Sequence, residues 1–268
     1  MKLFFPAVFI VTSFFYLNIH AQEINQFDEN GKHHGKWIRH YEKSQIVRYE
    51  GQFEHGAPFG EFRYYYQTGN LQTIANYEQN GTVCHTVSFF GNGNKHAEGT
   101  YINRQKEGEW KFYDGFNNII SIDHYKNGEK HGLCKTFLPT GELIEEINFN
   151  NGLAHGEWKR YFKNGKLQID GNFQNDKYEG SFVFYYISGK KLLSGKYVQS
   201  LREGDWLYYD EDGRLIKVVT YKNGRESDTK IFQKEKDSDF IEMKENDLIM
   251  KKIATGRHDR EPANPFMR

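Results

Sequence analysis

The feature that most constrains this chain is a period. Stepping from Gly156 in units of 24 residues lands on Gly60, Cys84, Gly108, Gly132, Gly180 and Gly204, and Gly35 joins them after one extra residue. Two positions past these anchors stand Trp37, Phe62, Thr86, Trp110, Cys134, Trp158, Phe182 and Trp206. Nine past stand Gly69, Gly93, Asn117, Gly141, Gly165, Gly189 and Gly213; seventeen past stand Tyr77, Tyr101, Tyr125, Phe149, Phe173, Tyr197 and Tyr221, with Phe53 filling that place in the first unit. Such a chain makes one supersecondary unit eight times and buries its apolar residues by stacking each unit on the next.

Each unit reads as a β-hairpin. In unit six, Gly156 to Phe162 suits an extended strand and Lys166 to Phe173 a return strand; Lys163-Asn164-Gly165 makes the turn, with Asn and Gly both suited to positive φ. A second turn, such as Asn127-Gly128, Asn151-Gly152 or Asn223-Gly224, leads to the next unit, and His155-Gly156 closes it. Composition agrees: 18 Tyr and 22 Phe with 26 Gly against five Pro describe aromatic strands and glycine turns. Trp158, Arg160 and Phe162 alternate with Lys159 and Tyr161, so the two faces differ. The strand-interior glycines Gly99, Gly171 and Gly195 leave gaps that neighbouring rings can cover. The expected fold is all-β, an elongated single-layer antiparallel array of about eight 24-residue hairpins with the aromatic columns as a thin core.

The order G-E-W-x-x-Y-F-x-N-G-K-L-x-x-x-G-x-F at 156 to 173, echoed at 108 to 125 and 180 to 197, resembles the MORN repeat, and most the bacterial variant called MORN-2. The resemblance covers roughly Asn30 to Arg225 and implies elongated, twisted sheets of successive hairpins. The unit at 81 to 104 departs most, with Cys84 and Thr86 replacing the glycine and the aromatic, which puts regular packing there in doubt. Units four and five vary at Asn117 and Cys134. In eukaryotic relatives the repeat accompanies membrane tethering and scaffolding, and exported bacterial members carry an antitoxin label that fits poorly with a leader sequence.

Catalysis finds little support in the pattern. His34, His131 and His155 precede anchors, and Glu107, Glu179 and Glu203 share their column. Equivalent residues of successive hairpins lie about 9.6 Å apart, too far for one zinc, so they read as turn-stabilising residues and no metal or other cofactor is expected. Cys84 and Cys134, two units apart, are expected to be free, largely buried thiols. G-x-S-x-G, H-E-x-x-H, the phosphate-loop pattern and paired C-x-x-C are absent, so the chain is not expected to be an enzyme. Gly91-Asn92-Gly93 belongs to the hairpin-turn column, and Asn80-Gly81-Thr82 fits a glycosylation sequon.

The ends complete the division. Residues 1–21, with Lys2 before an uncharged run and Ala21 before Gln22, have the form of a signal peptide; 22–29 lead in, 30–225 hold the array, and 226–268 form a charged cap or tail. A short helix from Ser238 to Lys252 would suit the cap. The protein is therefore expected to be exported, to the periplasm or beyond. Thirty-six basic and 36 acidic residues cancel, which argues against nucleic acid and membrane partners. The array, anchored at Gly35, Gly60, Gly108, Gly132, Gly156, Gly180 and Gly204, is expected to serve as a protein-interaction scaffold. The alternative is a carbohydrate or cell-wall module that stacks sugars on Tyr65, Tyr113, Tyr161, Tyr185 and Tyr209; an open groove along them would favour glycan, and burial would favour protein.

Overall fold

The computed structural model describes residues 23–232; the expected leader and the tail past 232, with its expected helix, lie outside the described residues. Those described form an open all-β sheet of 20 strands. Successive strands pair antiparallel, and substantial contacts link only sequence neighbours or strands separated by a two-residue one, Glu129–Lys130 or Lys177–Tyr178. The sheet is thus a single-layer meander that does not fold back on itself. Past the expected limit at Arg225 a further strand, Arg225–Ile231, still pairs with Leu215–Lys222.

Unit six shows the hairpin. Strands Leu153–Tyr161 and Leu167–Gln174 pair from Gly156↔Phe173 to Tyr161↔Leu167. In the turn Gly165 alone takes positive φ, at 77°. Asn164, expected to share that conformation, instead accepts a hydrogen bond from the Lys166 amide at 3.1 Å, so its side chain and not its backbone makes the turn. The second turns differ: Asn127-Gly128, Asn151-Gly152 and Asn223-Gly224 have both residues at positive φ, the geometry that matches strand twist in two-residue hairpins.

The anchor glycines do not close turns as expected; Gly35, Gly60, Gly108, Gly156 and Gly204 lie inside strands, and Gly132 and Gly180 open them. Between the pairs Phe149↔Ala154 and Ile147↔Trp158, three residues, His155, Gly156 and Glu157, stand opposite Asn148 alone. The same two-residue bulge puts 108–110 opposite Gly99 and 204–206 opposite Gly195. Gly156 sits at φ 95° there, a conformation costly for residues with a Cβ. An added Cβ would meet nothing within 4 Å at Gly60, Gly108, Gly180 or Gly204, so conformation, not crowding, selects glycine at the anchors.

Unit three dispenses with the bulge. Its anchor is Cys84, and Thr73↔Ser88 through Glu78↔Val83 pair without a shift in register. The two residues absorbed elsewhere by the bulge pass into the turn, where Gln79, Asn80 and Gly81 all have positive φ. The doubted unit therefore pairs regularly, and only its connection changes.

The core occupies the face carrying the second column of each unit. Trp37, Phe62, Trp110, Trp158, Phe182 and Trp206 are all buried there, as are Thr86 and Cys134. The bulge aims each ring over the preceding hairpin: a Cβ on Gly51, Gly99, Gly171 or Gly195 would lie within 2.4 Å of Phe62, Trp110, Phe182 or Trp206. Each ring therefore fills the place of the side chain that glycine lacks, as expected for Gly99, Gly171 and Gly195. Where the upper residue is small, the lower one is not glycine, as in Ala75 beneath Thr86. Burying one such ring contributes about 2 to 3 kcal/mol. The buried residues form two clusters, from Phe62 to Tyr125 and from Cys134 to Val219. Where they divide, Asp123 holds Lys130 at 2.9 Å in place of aromatic packing.

Candidate functional site

The tyrosine row lies on the face opposite the core rings. Tyr113 is buried, and Tyr65, Tyr161, Tyr185 and Tyr209 are half-buried, so no open groove runs along them. Three hydroxyls donate across the sheet to the preceding unit: Tyr65 to Glu50 at 2.7 Å, Tyr113 to Glu98 at 2.5 Å and Tyr161 to Glu146 at 2.6 Å. Lys95 reaches Glu98 at 2.7 Å and Lys135 reaches Glu146 at 3.0 Å, completing two of these clusters.

The pairs are matched within the chain. In units three and five the tyrosine is replaced by Phe89 and Phe137, and the residues in the acidic column of the preceding units are Ile74 and Ile122. By position, a ring without a hydroxyl thus corresponds to an aliphatic residue, and each glutamate to a donor. The ionisation of these groups follows: the Tyr161 hydroxyl holds the Glu146 carboxyl below the usual carboxylate range, and burial, then Glu146, pushes Tyr161 up to about 12. At Glu98, burial pushes the carboxyl up, but Lys95 and Tyr113 outweigh it and hold it low.

Three units carry charge pairs elsewhere on that face. Glu61 and Arg63 meet at 2.7 Å, Glu109 and Lys111 at 3.3 Å, and Glu157 and Lys159 at 3.2 Å, each pair two residues apart on one strand. All are in large part solvent-exposed, which makes these repeated pairs surface chemistry more than cohesion.

The histidine and glutamate column stays spread along the array and works at the second turns. Glu107 accepts from the Asn127 amide at 2.8 Å, Glu179 from Gln199 at 2.9 Å and Glu203 from Asn223 at 2.8 Å. His155 meets the Asn175 side chain at 3.2 Å in the corresponding place. Each of these four ties its own unit's turn, the turn-stabilising role that the spacing predicts; His131 does not, since its buried Nδ1 has no hydrogen-bond partner among the described residues. Cys84 and Cys134 are free and buried, and burial pushes their thiols up to about 11 and about 12.

Sequence reasoning missed a column two residues before each anchor. His33 stacks on Trp37 at 3.7 Å, Lys106 lies 4.7 Å from the Tyr125 ring centre, Lys130 5.3 Å from Phe149, and Arg202 4.6 Å from Trp206. These side chains cap the aromatic core, and cations over ring faces add electrostatic attraction to contact. Between units one and three, where Pro58 and Thr82 occupy the cap column, a cleft of about 850 Å³ opens instead.

The family model described as MORN repeat variant matches residues 60–79, 106–127, 130–151, 154–175 and 202–223. No curated protein matches the sequence. Among solved structures, a mutant of S. aureus TarM in complex with fondaparinux, alpha-GlcNAc-glycerol and UDP is 13% identical, over 49% of this chain and 21% of that one, with a TM-score of 0.23. A second TarM structure is 15% identical over 52% and 21%, with the same TM-score of 0.23. This chain thus spans about a fifth of the length of either, and superpositions so loose carry no functional argument. The five matched segments coincide with hairpins of the sheet, each including the bulge and ending at the first residue of the second turn, and the chain carries five copies of the MORN repeat variant.

Proposed function

We propose that this chain is a non-catalytic, exported scaffold that engages another protein along its charged face. The observation that carries this reading is the engagement of the aromatic residues. Core rings pack on glycines, and the tyrosine row is half-buried with three hydroxyls held by glutamates, which leaves those rings little face for stacking sugars. What the sheet offers outward is a paired acid and base in units two, four and six, a surface suited to electrostatic complementarity over several units. The leader-like segment at 1–21 supports export, with a partner in the envelope or outside the cell.

Pull-down of the mature protein from its native envelope fraction tests the reading. A specific protein should be recovered, and charge reversal at Arg63, Lys111 and Lys159 together should abolish its recovery. Repeated recovery of no protein, with saturable glycan binding along the tyrosine row, would overturn it.

A further inference from the structure

The geometry points to a ligand site separate from the charged face: the cleft between units one and three binds a short oligouronate, a chain of pyranose rings each carrying a carboxylate. This goes beyond the scaffold reading and rests on different residues.

The cleft is a consequence of the missing anchor. Because Cys84 takes no bulge, two residues enter the turn at Gln79–Gly81, and Thr82 is not set over a ring as Lys106 and Arg202 are in their units. Phe53, Pro58 and Tyr77 then form an apolar wall, with Gly81 packed close to the Pro58 ring. At about 850 Å³ the space lies within the range of small-molecule sites.

The remaining lining residues choose the ligand. Lys32 and Arg104 border the cleft, and among the described residues neither side chain has an ion-pair partner. No carboxylate lines it. The acid associated with this edge, Asp28, is engaged by His55 at 2.8 Å and by the amides of Asn30 and Lys32. Cations cap the core rings in other units, but here a cation would meet two others and nothing to neutralise them. An anion is favoured, and the amide and hydroxyl side chains of Asn80, Asn103 and Thr82 suit a body rich in hydroxyls. A short chain of such rings packed on the apolar wall, with separate carboxylates at Lys32 and at Arg104, uses all three features.

Two substitutions remove charge without disturbing the fold. Arg104 has φ 67° in a two-residue turn whose counterparts are Gly128, Gly152 and Gly224, so Arg104→Gly keeps the turn. Lys32→Gln keeps the backbone amide that bonds to Asp28. Calorimetric titration of the full chain with tri-galacturonate, maltotriose and a glutamate-rich hexapeptide tests the site. Tri-galacturonate should bind one to one and weaken with salt, and each substitution should weaken it about tenfold, the worth of a charge-assisted hydrogen bond. Maltotriose should bind at least as weakly as tri-galacturonate binds the variants. Equal binding of the acidic and neutral sugars, or unchanged affinity in both variants, overturns the site. Hexapeptide binding as tight as that of tri-galacturonate overturns the assignment to a sugar.

Discussion

Two glycines of one hairpin pair can be indispensable for opposite reasons. At Gly195 the backbone is ordinary and the space is not: a Cβ would stand 2.3 Å from the Trp206 ring. At Gly156 the space is open enough but φ is 95°. Gly195→Ala should therefore destabilise by about 2 to 3 kcal/mol through overpacking, and Gly156→Ala by about 1 to 2 kcal/mol through backbone strain, in urea melts of the full chain. A third residue-scale expectation concerns Tyr161 and Glu146. Tyr161→Phe should cost about 1 kcal/mol, and adding Glu146→Ile should restore most of it, because Phe137 and Ile122 already stand in this relation. Equal or greater loss in the double variant would sink the matching argument. The pair also sets a pH window. Glu146 is depressed in the fold, so its contribution is complete above the unfolded carboxylate value and lost as pH falls through the folded one; Tyr161 is raised to about 12, so its contribution holds below the unfolded phenol value and is lost as pH climbs towards 12. The melting temperature of the wild type should fall at both limits more than that of the Phe/Ile variant.

At the scale of the element, the hairpin was legible and the bulge was not. The recurrence of Gly, aromatic, Gly and aromatic at fixed offsets required two strands and two turns per unit, and these are observed. A two-residue bulge leaves no trace in a 24-residue period, because it shifts pairing without shifting sequence. Unit three makes the point: its spacing is unchanged, while the extra residues move from strand to turn and open a cleft. The cap column escaped notice because His33, Lys106, Lys130, Tyr178 and Arg202 share a position and a task but no chemistry. Exposure of the tyrosine row was equally hidden, since it depends on an acid 15 residues earlier on the neighbouring strand. The second turns allow a prediction of opposite sign to most. Arg104→Gly supplies the residue that the left-handed position favours, and should raise stability by about 0.5 to 1 kcal/mol. A lower denaturation midpoint would mean that Arg104 contributes contacts that offset its backbone strain.

A molecule in which each unit contacts only its neighbours has no central core to hold all parts equally. Stability in such arrays is close to a sum of unit and interface contributions, so local loss propagates only as far as coupling carries it. Here the coupling is uneven. Buried packing runs from Phe62 to Tyr125 and again from Cys134 to Val219, whereas Asp123 and Lys130 fill the interval with an ion pair. The weak joint should make the sheet unfold in two blocks. Trp206→Ala removes a fully buried ring from the later block, a change worth about 3 to 5 kcal/mol, and is the more telling because Gly195 leaves nothing to refill the space. Hydrogen exchange followed by mass spectrometry should then show faster exchange in strands from Leu153–Tyr161 to Leu215–Lys222, with Ala57–Tyr65 to Gln105–Tyr113 protected as in the wild type. Replacing Asp123 and Cys134 by Gly and Phe would extend ring-over-glycine packing towards the joint. If that variant with Trp206→Ala exchanged uniformly along the sheet, the interval would be confirmed as the uncoupling element; if Trp206→Ala alone already did so, the two clusters would be one cooperative unit.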